Sequence, residues 1–375
     1  MRLRLERRLK PSKTGSFLVP LVSFILALAF GGIILLATGA DPIATYKAMA
    51  IGAFGGKYAI SETLVKAIPL ILCGLGVAVA FRMRFWNIGA EGQLAMGGFA
   101  ATWVALFLPS LVPGLPAKWL LPLMILAGFI VGALWGIIPA LLRAYVGVNE
   151  VITTLMMNYI AILWVEYLFY GPWRDPKGYG FPGTAPFPEA AWLARYPGTR
   201  VHLGLVFAVV AAVVLWLILT RTKWGYEVRV IGENPKAARY AGINLVRNIV
   251  LVMVVSGGLA GLAGVGEVAG IAHRMQKGMA VGYGYTAIIV AWLGQLSPWG
   301  VMLVGVLLAG LLVGGDQIQI TMRLPAAVAS VLQGAILFFM LGGALFTQYR
   351  LRLDWPARRR KGQAAIPPAA EGGDL

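Results

Sequence analysis

Apolar residues run along this chain in blocks of about twenty, separated by short polar or glycine-rich turns. That length matches the ~20 residues a helix needs to cross the hydrocarbon core of a bilayer. Ten blocks can be drawn, near 17–38, 63–80, 87–108, 119–142, 150–170, 203–220, 248–271, 284–296, 299–315 and 326–346. The pattern predicts an all-α polytopic membrane protein with about ten transmembrane helices. The first block is too long for the roughly 7–15-residue apolar core of a signal peptide and is expected to remain as a span. The eighth block is short. "GYGYT" at its start predicts an unwound half-span, and the third block opens on a similar glycine-broken polar turn, "NIGAEGQ". One would enter from the cytoplasm and the other from outside, as an inverted repeat of spans two to five and seven to ten requires.

Against this pattern the short stretch "GENPKAARYAG" stands out, because it is polar and well ended. Asn234 suits a helix N-cap, Pro235 the first helical position, and Gly242 a left-handed stop. A soluble helix over about 233–242 is expected in the longest inner loop, residues 221–247.

Composition excludes a soluble globular class. The chain is 59% hydrophobic and 13% charged, with mean hydropathy +0.78, against about 25% charged in soluble domains. The net charge of +17 would suggest nucleic acid in a soluble protein. Here 21 of the 32 Lys+Arg fall on 1–16, 81–86, 143–149, 221–247 and 347–375. That is the positive-inside distribution, so no nucleic-acid partner is expected and both termini are placed in the cytoplasm. The resulting organisation is a basic N-terminus (1–16), a transmembrane domain (17–346) and a basic tail (347–375) expected to be disordered. The outer loop 171–202, rich in Pro, Gly and aromatics, is expected to cap the membrane surface, with Trp173, Trp192 and Tyr196 near the headgroups.

Candidate chemistry is sparse. There is no P-loop, and "GGKYA" at 55–59 is not one. Cys73 is a single cysteine, and His202 and His273 are far apart in sequence. No metal, cofactor or catalytic residue is predicted. Ionisable groups at membrane depth are costly and often functional, which brings forward Glu91, Glu150, Glu166, Glu267 and Asp316. Glu91 and Glu150 stand near helix starts, where the dipole alone can account for them. Neutral groups suited to a sugar or base include Asn87, Gln93, Asn158, Thr286, Gln317 and Gln333, and the rings of Tyr159, Tyr283, Tyr285 and Trp292 can stack on a planar ligand. The candidate substrate path is therefore Asn87, Glu91, Gln93, Asn158, Tyr159, Tyr283, Tyr285, Thr286 and Trp292. The small-residue pairs Gly128–Gly132 and Gly257–Gly261 are expected to pack helices.

Four blocks occur in order: "FRMRFWNIGAEGQLAMGGFAA", "LLRAYVGVNEVITTLMMNYIA", "RVIGENPKAARYAGI" and "GYGYTAIIVAWLG". Together they resemble the integral-membrane permeases of ABC importers, in the family that includes ribose and branched-chain amino acid permeases. The second block and "NIGAEGQ" look most like nucleoside permeases served by Bmp-type binding lipoproteins. The resemblance covers about residues 60–345. It implies a type II-like importer fold in a bacterial inner membrane and import of a small polar solute, most simply a nucleoside. Its partners would be a separate ATPase subunit, a second permease (a heterodimer) and an extracytoplasmic binding lipoprotein. It also implies that the capped helix couples to the ATPase, through Gly232, Glu233, Asn234, Pro235, Ala237, Ala238, Arg239, Tyr240 and Gly242. The alternatives are an ABC permease for a sugar such as ribose, or an ion-coupled secondary transporter.

Overall fold

The computed structural model describes residues 2–7, 13–325 and 327–354. The chain divides into two units, residues 1–29 with 336–375 and residues 30–335. In the first, β1 (Arg2–Arg7) pairs antiparallel with β2 (Tyr349–Asp354), with Arg2 opposite Asp354 and Arg7 opposite Tyr349. Residues 349–354 are thus a strand rather than part of a disordered tail. The remainder of the predicted tail, 355–375, lies outside the described residues.

The main elements of the other described residues are helices: α1 (Lys13–Ala37), α2 (Pro42–Phe54), α3 (Lys57–Arg82), α4 (Ala90–Leu111), α5 (Leu120–Leu141), α6 (Glu150–Tyr170), α7 (Gly204–Arg221), α8 (Lys223–Glu233), α9 (Pro235–Tyr240), α10 (Leu245–Val265), α11 (Tyr283–Leu293), α12 (Pro298–Met322) and α13 (Ala327–Gln348). Two π-helical turns, Leu142–Val146 and Gly266–Ala272, extend α5 and α10.

Among the described residues seven helices are long and apolar enough to cross a membrane. The count is eight if the bent pair Val22–Ala37 and Pro42–Phe54, 115° apart, is one span. Ten crossings are thus not confirmed among the described residues. At 11 residues α11 is too short to cross. The chain after α1 bends at once into α2, whose cap is local: Asp41 Oδ1 accepts from the Ile43 amide at 2.9 Å, with Pro42 in the first helical position.

The centre of the second unit is α3, almost entirely buried from Ala67 to Phe81. Around it α4, α5 and α10 meet on glycines. A Cβ on Gly132 would lie 2.4 Å from the Gly257 carbonyl oxygen, one on Gly261 2.1 Å from that of Gly128, and one on Gly97 2.3 Å from Gly261. In lipid no hydrophobic force separates helix from solvent, so such backbone proximity supplies the packing. The small-residue pairs do what their spacing predicts.

The loop 171–202 is a built cap. Thr184 N–H donates to the Met275 carbonyl at 2.9 Å, Phe187 N–H to His273 at 2.8 Å and Leu193 N–H to Ala269 at 3.0 Å. Phe187, Ala191 and Leu193 join the same core as α4, α5 and α10. Two of the predicted headgroup aromatics pack on the protein. Trp173 stacks on Phe99 at 5.3 Å between ring centroids and Trp192 on His273 at 4.1 Å. Tyr196 is exposed.

Candidate functional site: two helix starts on one carboxylate

Between α3 and α4 the chain leaves helical geometry over residues 83–89. Inside a bilayer every backbone group freed this way needs a partner, and the partners are side chains. Asn87, fully buried, accepts from the Gly89 amide at 2.9 Å and donates to Gln93 Oε1 at 3.0 Å and Ser256 Oγ at 2.8 Å. Asn158 of α6 accepts from the Gly92 amide at 2.8 Å and donates to the Ile88 carbonyl at 2.8 Å. Thr154 Oγ accepts from the Ile88 amide at 3.2 Å. Three predicted substrate-path residues, Asn87, Gln93 and Asn158, are thus spent on holding the break open.

Glu91 closes the arrangement. It stands in the first turn of α4, but its carboxylate reaches the start of another helix. Oε1 accepts from the Gly282 amide at 2.6 Å and Oε2 from the Gly284 amide at 2.5 Å, with the Tyr285 amide also bonded to it. Gly282 is the N-cap of α11, with φ +94°. The partly positive starts of α4 and α11 therefore face each other across one negative charge. Gly284 permits this approach, since a Cβ there would lie 2.2 Å from the Glu91 nitrogen.

The other predicted path residues lie around this knot. Tyr283 is buried, and Tyr285 is half-buried with its hydroxyl accepting from Asn158 Nδ2 at 3.2 Å. Buried Thr286 accepts from Gln333 Nε2 at 2.7 Å. Trp292 is at the far end of α11, stacked on Trp86 at 5.8 Å and near Phe81 at 6.0 Å. Tyr159 is exposed on α6. The structure brings Asn87, Glu91, Gln93, Asn158, Tyr283, Tyr285 and Thr286 together, keeps Tyr159 within electrostatic range of Tyr285, and leaves Trp292 apart from them. Of the further candidates, Glu150 pairs with Arg143 at 3.2 Å in the first turn of α6, as a helix-start carboxylate. Gln317 packs against Gly52. Sequence reasoning passed over Trp86, and over Lys66, whose ion pair with Asp316 is taken up below.

The loop 221–247 folds around two helices, α8 and α9. Asn234 Oδ1 accepts from the Lys236 and Ala237 amides at 3.0 and 3.1 Å, and Gly242 takes φ +74° after α9. The caps are those the sequence predicts. The side chains divide into two sets. Ala238 is fully buried within the chain, and Gly232 lies so close to the end of α3 that a Cβ would sit 2.0 Å from the Arg82 carbonyl oxygen. Glu233, Asn234, Pro235, Ala237, Arg239, Tyr240 and Gly242 are exposed, Tyr240 to 94%.

At the end of the 171–202 cap, His202 is buried against Gly270, and its Nδ1 accepts from the Gly204 amide at 3.2 Å. Burial lowers its pKa to about 4, helped by Arg195 and His273. Burial and Arg195 also lower His273. A histidine held neutral in the fold but titrating near 6.5 when unfolded contributes stability above that pH and loses it as pH falls toward 4. The cost approaches roughly 3 kcal/mol for His202. The melting temperature of the purified protein should drop across pH 6.5 to 4, and His202→Gln, which keeps an acceptor for Gly204, should flatten that drop. An unchanged pH profile in the variant would remove His202 from the account.

Residues 59–341 match the family described as branched-chain amino acid transport system, permease component, and the chain belongs to that family. It is 38% identical to the glucose ABC transporter permease protein of Haloferax volcanii, over 99% of both chains. It is 37% identical to the guanosine ABC transporter permease protein of Bacillus subtilis, over 93% of this chain and 99% of the relative. To the nucleoside ABC transporter permease protein of Lactococcus lactis it is 33% identical, over 88% and 92%. The protein is thus a multi-pass ABC permease subunit, a transport component and not an enzyme. Membership implies an ATPase and a substrate-binding partner.

Proposed function

We propose that this permease imports a nucleoside across the inner membrane, with both termini cytoplasmic. It would work beside a different second permease and receive its solute from an extracytoplasmic binding lipoprotein. The observation that carries the substrate is the similarity, over nearly the whole chain, to a guanosine and a nucleoside permease. The glucose relative of 38% identity supports a second reading, import of a sugar. Both solutes are small, neutral and hydroxyl-rich.

The order of elements supports an inverted repeat, with α3, an unwound stretch and α4–α6 answered by α10, an unwound stretch and α11–α13. In this reading Glu91 sits where the two halves exchange helix starts, and alternating access works around that point. The path residues Tyr283, Tyr285 and Thr286 line the route nearby, and Asn87, Gln93 and Asn158 support it from behind. On the inner side α9 engages the ATPase through its exposed residues. Gly232 presses on the end of α3, and Arg82 there donates to the Leu296 carbonyl at 2.8 Å, beyond α11. A rigid-body push on α8–α9 thereby reaches α3 and α11 through direct contacts.

Uptake of labelled guanosine and labelled glucose by proteoliposomes holding both permeases, the ATPase and the binding protein separates the readings. ATP-dependent guanosine uptake that excess uridine suppresses and glucose leaves alone is the expected result. The reverse competition supports the sugar, and uptake that follows an ion gradient without ATP overturns both.

A further inference from the structure

Lys66 of α3 and Asp316 of α12 form an ion pair with side chains 26% and 58% exposed. Both helices are apolar enough to span. Lys66 stands nine residues inside α3 and Asp316 six before the end of α12, about 14 and 9 Å along the helix axes. Charges at such depth are unfavourable against lipid and face protein or a water-filled cavity. Near Lys66 lies Glu267, in the π-helical turn after α10 and only 8% exposed: a Cβ on its neighbour Gly266 would sit 4.0 Å from Ile68 of α3, two residues from Lys66. Its Oε1 is buried without a hydrogen-bond partner among the described residues. Glu267 lies within electrostatic range of Lys66 and Glu91, and Tyr283 within range of Glu267, Asp316 and Glu91. Five elements, α3, α4, α11, α12 and the turn after α10, thus bring polar groups within electrostatic range of one another.

A buried carboxylate oxygen with no donor is unfavourable and calls for one. π-Turns, which interrupt regular helix bonding, frequently occur at functional sites. Both oxygens of the Glu91 carboxylate already accept from the amides of Gly282 and Gly284. Glu267 has free acceptor capacity, and Lys66 with Asp316 offers a donor and an acceptor at the exposed edge of the same cluster.

We propose that Glu267, Lys66 and Asp316 form a station in the translocation path that recognises the vicinal hydroxyls of a sugar ring. The inference rests on the reading of this permease as an importer of a hydroxyl-rich solute. A ribose within a nucleoside and a free hexose carry the same chemistry. Glu267 accepts from one hydroxyl, and the Lys66–Asp316 pair donates to and accepts from its neighbour. A site built on hydroxyl hydrogen bonds rejects analogues that lack them, because its own polar groups are then left unpaired.

The test uses the assembled transporter in proteoliposomes. Initial rates are measured for guanosine against 2′,3′-dideoxyguanosine, and for glucose against 2-deoxyglucose. Whichever parent compound the wild type carries should be favoured over its deoxy analogue at least tenfold. Glu267→Gln should raise KM for the parent at least tenfold and bring the preference close to one, while the complex still assembles. Asp316→Asn, at a side chain 58% exposed, should reduce the preference in the same direction. Retention of the wild-type preference by Asp316→Asn and by assembled Glu267→Gln overturns the proposal. So does Asp316→Asn that releases the second permease while sparing the preference, because the ion pair is then a subunit contact. A wild type that carries neither parent compound overturns the importer reading and the station with it. A wild type that carries one of them with no preference over its deoxy analogue overturns the station alone.

Discussion

Glu91→Ala should remove most of the folded permease from the membrane and abolish transport by what remains. The carboxylate accepts from the Gly282 and Gly284 amides at 2.6 and 2.5 Å and from the Tyr285 amide, while lying at the start of α4 itself. Hydrogen bonds to a charged group contribute about 1.5–3 kcal/mol each, and amides stranded in hydrocarbon cost several more. The loss is therefore of order 5 kcal/mol or above, comparable to the whole stability of an ordinary domain. Glu91→Gln keeps one accepting oxygen but turns an amide N–H₂ toward a backbone donor, so it should be intermediate. Glu91→Asp is one methylene short of α11 and should behave more like Gln than like the wild type. Thermal unfolding followed by size-exclusion of the detergent-solubilised protein gives the order wild type, then Gln and Asp, then Ala. A Glu91→Ala protein that melts with the wild type and transports normally would show that α11 holds its start by other means.

The two broken helix starts were legible in sequence because glycines and polar residues interrupt apolar blocks. That they share one carboxylate was not, since Glu91 and Gly282 are 191 positions apart and local pattern says nothing about such a pair. The same gap explains Asn87, Gln93 and Asn158. Their residue types suit a polar solute, but an unwound backbone in lipid competes for the same hydrogen bonds. Here the backbone takes them. The start of α9 was legible because its cap, Asn234, acts within a few positions, while α8 before it was not predicted. The α2 helix carried an equally local cap in Asp41–Pro42 and was passed over in favour of hydropathy alone. Lys66 was hidden by averaging, one charge within an apolar run, and only the position of α12 beside α3 gives it a partner in Asp316.

Tyr240→Ala should leave the permease folded and sharply weaken its hold on the ATPase. The choice of residue follows from how α9 sits. Ala238 is fully buried within the permease, so a charged residue there would disturb the permease before it could report on any partner. Gly232 is similarly fixed against the end of α3. Tyr240 closes α9 with 94% of its surface exposed, beside exposed Arg239. A tyrosine and an arginine on a short, doubly capped helix have the composition of a binding hot spot, where truncation typically costs 2 kcal/mol or more, about 30-fold in affinity. Removing a solvated side chain changes folding stability by only about 0.5 kcal/mol, so the melting temperature should not move. Gly242→Val acts by another route. At φ +74° a β-branched residue is strained by about 1–3 kcal/mol, and the end of α9 should lose its direction while the spans remain folded. Both variants should show normal membrane levels, loss of ATPase on purification and loss of uptake. A Tyr240→Ala complex that retains the ATPase at wild-type stoichiometry and transports at the wild-type rate would place the coupling surface elsewhere on the inner face.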